Sequence, residues 1–455
     1  MRWASSFGHD TQSKDFTVVG VGDMSGDVFG NGMLLSRHIR LLAAFDHRHI
    51  FIDPAPDATA SFAERERLFA LPRSSWADYD ATLISAGGGL WPRSAKSISL
   101  SAKAREALGL APDIEAVTPA ELMRAILLAP ADLFYNGGIG TYIKASAETH
   151  GDCGDRANDA IRVNGAELRC KVVAEGGNLG CTQRGRIEYA LHGGLINTDA
   201  IDNSAGVDCS DHEVNIKILL NGVVAEGELT LKQRDKLLAE MTDDVAALVL
   251  RDNTFQNQVL AVTRSRGAVL LDEQGRYMRH LAARGRLNRA LEFLPDDNAL
   301  TVRQQAGQAL TAPELAVLLA YHKMELYDLV LASDVPADAY IATSLQRYFP
   351  ARLHAQFPTA LEQHPLKREI IATHVINSMV NRVGATFVHH LQEETGAPEA
   401  DIVRAYLAAR EVFGLVPVWL ANEALDNQVP ESTQNAIVLA TVRLFERATV
   451  WLLQQ

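Results

Sequence analysis

The chain has 455 residues, 47% of them hydrophobic, and a formal net charge of −13. That is enough for two or three domains with sizeable cores. The acidic balance, with no Lys/Arg-rich block, argues against a nucleic-acid partner or an anionic-membrane surface. No apolar run approaches the ~20 residues that span a bilayer, and Met1-Arg2-Trp3-Ala4-Ser5-Ser6 lacks a signal-peptide core, so a cytoplasmic chain with no membrane partner is expected.

Residues 1–15 are polar and irregular and read as a flexible lead-in. Thr17-Val18-Val19 then opens a buried strand that runs into Gly20, Gly22 and Gly26. A helix-compatible apolar segment follows, with Met33, Leu34, Ile39, Leu41 and Leu42. A second strand, His49-Ile50-Phe51-Ile52, ends on Asp53. Strand, glycine turn, helix, strand, acid is the order of a dinucleotide-binding βαβ unit. A glycine without Cβ lets the turn tighten and lets backbone N–H groups approach a pyrophosphate, while an acid ending the second strand accepts hydrogen bonds from ribose hydroxyls. A carboxylate at Asp53 would also repel a 2′-phosphate and so predicts NAD over NADP. The glycines run Gly20-x-Gly22-x-x-x-Gly26, one residue looser than the usual fingerprint, and Asp53 comes later than the usual ~20 residues.

Residues 58–68 form a polar helix-like stretch. Residues 80–85 read as a third strand ending in Gly87-Gly88-Gly89, and residues 96–110 as a loop and the start of a helix. Thr118-Pro119-Ala120-Glu121 has capping-box spacing and opens a helix ending before Pro130. A fourth strand, residues 132–135, runs into Asn136-Gly137-Gly138-Ile139-Gly140. A fifth, residues 170–174, runs into Glu175-Gly176-Gly177-Asn178, and a sixth is expected at 194–197. Each strand ends in a Gly/Asn/Asp-rich loop, as in a doubly wound parallel α/β sheet, where ligands lie outside the carboxyl ends of the strands. The four cysteines, Cys153, Cys170, Cys181 and Cys209, form no CxxC and make no zinc-like spacing with His150 or His212, so reduced thiols and no metal are expected. The acidic run 152–162 fails the alternation of an EF-hand loop and reads as a solvated loop.

From about Ile216 glycine becomes rarer and helical periodicity takes over. Residues 230–250 read as one helix. Thr311-Ala312-Pro313-Glu314 opens another, running to about Leu331. In residues 370–383 an apolar stripe (Ile371, Val375, Met379, Val383) opposes a polar one (His374, Asn377, Ser378, Asn381), which faces either a ligand, a domain interface or solvent. Residues 435–453 close the chain as a helix with Ile437, Ala440, Leu444 and Trp451 inward, and His389-His390 reads as surface. The expected division is a lead-in at 1–15, an α/β doubly wound (Rossmann) domain at 16–215 and an all-helical domain at 216–455.

Three strings carry a resemblance: Val18-Val19-Gly20-Val21-Gly22-Asp23-Met24-Ser25-Gly26-Asp27-Val28-Phe29-Gly30-Asn31-Gly32, His49-Ile50-Phe51-Ile52-Asp53-Pro54, and Asn203-Ser204-Ala205-Gly206-Val207-Asp208-Cys209-Ser210. They closely resemble the large bacterial NAD-specific glutamate dehydrogenase family, as does the stretch from Pro313 to Tyr321. The likeness covers the chain beyond Asp15 and only the C-terminal portion of family members. It implies NAD as cofactor, with Asp23, Met24 and Ser25 joining Gly20, Gly22, Gly26 and Asp53 at its site. It also implies L-glutamate and 2-oxoglutarate as substrate and product, and a homo-oligomer for the full-length enzyme. Glu175-Gly176-Gly177-Asn178 is similar to a Glu-Gly-Ala-Asn turn of smaller amino-acid dehydrogenases, so Asn178 takes a place beside the nicotinamide. Asn203-Ser204-Ala205-Gly206-Val207 resembles their Asn-Ala-Gly-Gly-Val segment with two changes, which assigns Asn203 and Ser210 to substrate binding. The other reading of Ser210 is an N-cap for a helix starting near His212. In the resemblance, the lysines that bind substrate and take its ammonium proton lie upstream of the first strand. No catalytic residue is therefore expected here, and the isolated chain is expected to be inactive. The alternative function is a non-catalytic NAD-sensing or assembly module. A hydrolase using Ser25 or Ser85 is disfavoured, since neither lies in G-x-S-x-G.

Overall fold

The computed structural model describes residues 9–455, so most of the expected lead-in lies outside the described residues. The chain forms two compact units. One comprises residues 9–203 with Thr311–Pro313; the other comprises Ser204–Leu310 and Glu314–Gln455. The expected boundary at 215/216 falls inside the helix Ser204–Ala225.

The first unit is built on a six-stranded mixed sheet: β1 (Phe16–Val21), β2 (Ile39–Phe45), β3 (His49–Ile52), β4 (Gly89–Pro92), β5 (Leu133–Asn136) and β6 (Val172–Glu175), in the spatial order β6-β5-β1-β2-β3-β4. β6, β5, β1 and β2 are parallel, whereas β3 runs antiparallel to both β2 and β4. The all-parallel expectation is thereby corrected.

The correction begins at residues 39–45, which take in Ile39, Leu41 and Leu42 of the segment read from sequence as helix-compatible. Ile39, Leu41, Leu42, Ala43, Ala44 and Phe45 are all buried, because β2 is covered on both faces. An apolar run buried all round has no period that separates strand from helix. The helix after β1 is only Ser25–Phe29, followed by a 3-10 turn, Asn31–Leu34. Asn31, at φ 43°, breaks it. Two further expectations fail. Residues 80–85 hold a 3-10 turn, Ala81–Leu83, capped by Asp80, and the strand comes after it, at β4. Residues 194–197 make one isolated parallel bridge, Leu195 to Val172.

Alternate residues of β1 point to opposite faces. Val19 and Val21 join a core with Phe45, Ile126, Phe134 and Val173, while Val18 joins another with Leu41, Phe51 and Trp76. The helix Pro119–Leu127 serves the first core through Leu122, Met123, Ile126 and Leu127. Its start is the expected capping box: Thr118 Oγ1 accepts from Glu121 N at 3.3 Å, and Glu121 Oε2 accepts from Thr118 N at 2.7 Å. Those bonds hold the Glu121 carboxyl below its usual range. Thr118→Ala removes the cap and should lower stability by about 1 kcal/mol; an unchanged thermal midpoint would contradict the assignment.

The second unit is helical. The expected single helix at 230–250 is two, Leu231–Glu240 and Thr242–Ser265, the first opened by a Thr230–Gln233 capping box. The expected helices near the other marks are Ala312–Ala332, Lys367–Val383 and Glu431–Leu453. In the last, the buried face is Val438, Thr441, Val442, Phe445 and Thr449, while Trp451 is 60% exposed. Trp419 Nε1 donates to Thr441 Oγ1 at 3.3 Å, and Phe445 stacks on Tyr406. The inner face thus carries polar residues, which hid it from a hydrophobicity pattern. His389, expected at the surface, is buried beside Tyr277 and His280. Among the described residues, no helix is long and apolar enough to cross a membrane.

Candidate functional site

The sheet changes direction at β1. The next parallel strand in sequence, β2, lies on one side of it, and β5, with β6 beyond, lies on the other. The carboxyl ends of β1, β5 and β6 therefore open side by side, and their loops are stitched through the backbone. Gly137 N donates to Val21 O at 2.7 Å, Gly176 N to Asn136 O at 2.7 Å, and Gly22 N to Phe45 O at 3.0 Å. The loops approach one another closely at their glycines. A Cβ on Gly138 would lie 2.3 Å from Asp23 N and 2.2 Å from its Oδ1, and one on Gly177 would lie 2.8 Å from Gly138 O. Only glycine permits that approach.

Gly20, Gly22, Asp23, Met24, Ser25 and Gly26 all belong to the β1 loop and the helix it enters. Gly20 packs inward on Met33 and Val28, and Gly22 against Asp27, while Gly26 faces open space. The two loop acids hold backbone. Asp23 Oδ1 accepts from Ile139 N at 2.8 Å, linking the β1 loop to the β5 loop, and Asp27 Oδ2 accepts from Met24 N at 2.8 Å. Burial, with Asp23 nearby, pushes the Asp27 carboxyl up. The amides of Ser25 and Gly26 find no acceptor among the described residues.

Asp53 is not brought to this loop. It ends the antiparallel β3, beside Leu42, with its N donating to Leu42 O at 2.8 Å. Its Oδ1 is engaged by Ser85 N and Oγ and by Ala55 N. The acid that ends a parallel strand next to the glycine loop is Asp46. It is buried, and it accepts from the Ser25 hydroxyl with Oδ2 and from Arg48 N (2.6 Å) and His49 N (2.7 Å) with Oδ1. It fixes the β2–β3 turn and clamps the start of the helix Ser25–Phe29. Its position, 24 residues beyond Gly22, was available in the sequence; the misread β2 concealed it.

Asn178 and Asn203 are brought together: Asn203 Nδ2 donates to Asn178 Oδ1 at 2.7 Å. Behind Asn178 lies a buried charged knot. Arg186 meets Glu175 through two bonds, Nε to Oε2 at 2.7 Å and Nη2 to Oε1 at 2.8 Å. Asp199 Oδ2 lies 3.3 Å from Arg186 and accepts from Leu179 N at 2.8 Å, and Asp202 Oδ2 accepts from Glu175 N at 3.1 Å. Burial pushes the Asp202 carboxyl up to about 7. Glu175 of the Glu-Gly-Gly-Asn turn thus points into the core and anchors the turn from below.

Sequence reasoning missed two features of this edge. Met24, Ile139 and Leu179, one from each of the three loops, are 58%, 73% and 66% exposed. Large apolar side chains gathered on loops at a strand edge suit a ring-bearing ligand. Asn136, at the end of β5, is fully buried, and its amide nitrogen and oxygen have no partner among the described residues.

In the helical unit, Ser210 lies within the helix Ser204–Ala225, where its hydroxyl donates to Val207 O at 2.7 Å. It is not the cap of a helix starting near His212. Asp208, His212 and Asp252 place ligand-capable atoms within 4.8 Å of one another, but a half-buried cation, Lys323, acts on both acids, opposing a metal there. All four cysteines are free.

The chain matches the sequence model of the bacterial NAD-glutamate dehydrogenase catalytic domain over residues 2–263 and that of the glutamate dehydrogenase C-terminal region over residues 307–455. An NAD-specific glutamate dehydrogenase of Pseudomonas aeruginosa is 54% identical over 448 residues, one of Halomonas elongata 52% over 453, and one of Mycobacterium tuberculosis 51% over 450. Each alignment takes in 98% of this chain and 28% of the relative, so the chain spans little more than a quarter of their length. With a glycine-looped α/β unit followed by a helical one, and family matches running through both, the chain belongs to the bacterial NAD-glutamate dehydrogenases.

Proposed function

We propose that the α/β unit is a Rossmann-type NAD site and that the chain supplies the cofactor-binding part of an enzyme converting L-glutamate, NAD and water to 2-oxoglutarate, ammonia and NADH. The observation that carries this reading is the meeting of three loops at the switch between β1 and β5. There, backbone approaches backbone and three apolar side chains stand exposed. NAD would supply the hydride acceptor.

The residues divide as follows. The β1 loop, with the free amides of Ser25 and Gly26, takes the pyrophosphate. Asp46, rather than Asp53, faces the ribose. A carboxylate has about four acceptor positions, so three present bonds leave it capacity for one hydroxyl. Its charge would repel a 2′-phosphate, which favours NAD over NADP. Asn178, held by Asn203, orients the nicotinamide carboxamide. Asn203 and Ser210 are the groups assigned to the substrate. A Ser210 hydroxyl that serves a carboxylate must turn away from Val207 O.

Gly138→Ala tests the cradle, because its methyl would collide with Asp23 and push the β1 and β5 loops apart. NAD affinity, measured by titration calorimetry, should fall at least about tenfold, equivalent to 1.4 kcal/mol. Gly222→Ala, at a helical position with open space around it, should leave affinity unchanged. Tighter binding of NADP than NAD, or full affinity in Gly138→Ala, would overturn the reading.

A further inference from the structure

The helical unit holds a cavity of about 900 Å³, far larger than a packing defect. The polar stripe of the helix Lys367–Val383 faces it: His374, Asn377 and Ser378 line the wall, whereas Asn381 is buried. Three arginines from three other helices reach the same space: Arg251 from Thr242–Ser265, Arg347 from Ser344–Tyr348 and Arg410 from Glu399–Val412. Arg410 pairs with Glu411. Arg251 and Arg347 are exposed and have no hydrogen-bond or ion-pair partner among the described residues. A fourth, Arg382, is buried, fixed by Gln258 and Glu423 and sandwiched between Phe255 and Trp419.

Five acids also line the cavity: Asp208, Asp211, Asp244, Asp252 and Glu369. Asp244 is tied to Arg352, while Asp208 and Asp252 lie with His212 and Lys323. The charged groups with the largest effects on His374 are Arg251, Arg347, Arg410 and His212. Burial and those cations push His374 down to about 3, so its ring is neutral. Guanidinium groups converging on a neutral imidazole, an amide and a hydroxyl form a donor-rich pocket, its positive charge offset only in part by Glu411, which acts on Arg347 and Arg410, and by Asp252, which lies near Arg251.

We propose that this end of the cavity binds a small organic or inorganic anion, its carboxylate or phosphate held by Arg251 and Arg347 against His374, Asn377 and Ser378. The site is independent of the NAD reading, since every residue in it belongs to the helical unit. The test is titration calorimetry on the full chain at about 0.15 M salt, with succinate as the carboxylate probe and inorganic phosphate as the other, each with and without saturating NAD. At least one probe should bind saturably with NAD present, and the tighter one names the class. The double variant Arg251→Ala, Arg347→Ala should weaken that probe at least about tenfold while leaving the circular dichroism spectrum and NAD affinity unchanged. Should the double variant fail to fold, Asn377→Leu takes its place with the same expectation. Absence of binding by both probes below about 10 mM, or equal binding in the variants, would overturn the proposal.

Discussion

Replacing Arg186 with methionine should lower the stability of the α/β unit by about 3–5 kcal/mol, the range for removing one partner of a buried ion pair. The pair qualifies: Glu175 and Arg186 side chains are 0% and 5% exposed, and two short bonds join them. Without the guanidinium, Glu175 keeps one donor, Cys181 N at 3.1 Å, while Asp199 and Asp202 remain close by. Its cheapest response is to take up a proton. The deficit should therefore be larger at pH 8 than at pH 5, where that proton is easier to acquire. Adding Glu175→Gln should recover more than half of the loss, because the uncompensated charge goes with it. Urea unfolding of the four members of the cycle gives the coupling directly. A single variant within about 1 kcal/mol of the parent would mean that the knot is solvated and does not hold the turn. The same single variant should also weaken NAD binding, since Gly176 to Asn178 rest on Glu175.

What the sequence made legible was local and chemical. The capping box at Thr118 and the strand–glycine sequence of β1 follow from short-range rules, and each is in place. Family membership was readable because whole strings resemble relatives, even though the βαβ unit drawn from them was misread. That misreading has one root: β2 is apolar on both faces and mimics a helix. With Ile39, Leu41 and Leu42 read as part of a helix, β3 becomes the second strand and Asp53 its terminal acid. In space β3 is antiparallel, so Asp53 lies beside Leu42, and the acid bonded to Ser25 of the glycine loop is Asp46. The other members of the knot, Arg186, Asp199 and Asp202, lie 11, 24 and 27 residues beyond Glu175, and nothing in their spacing marks a cluster. The polar stripe at His374 was visible, but the arginines opposite it come from helices more than 20 residues away on either side. Tertiary packing alone brings them together.

Asp202 should make the α/β unit lose stability as pH rises toward neutrality. Burial pushes its carboxyl up to about 7 from an unperturbed 3.8, with Glu175 adding to the rise and the Glu175 N–H and Asn197 opposing it. Between those two values the folded chain binds more protons at Asp202 than the unfolded chain does. Stability from this group is therefore fully present below about pH 4, falls as pH climbs, and reaches its unfavourable limit above about pH 7. At 1.36 kcal/mol per pK unit the full shift approaches about 4 kcal/mol; the residue keeps some exposure to solvent, and about 2–3 kcal/mol is expected. Asp202→Asn keeps an oxygen for the Glu175 N–H and removes the charge. It should exceed the parent in stability by that amount at pH 8, with the gap closing toward pH 4. In the difference between the thermal midpoints of the two chains across this range, groups that do not interact with Asp202 cancel, leaving Asp202 and its coupling to Glu175 and Arg186. A variant no more stable than the parent at pH 8 would show that Asp202 is already ionised at little cost, with Arg186 offsetting its charge as well as that of Glu175.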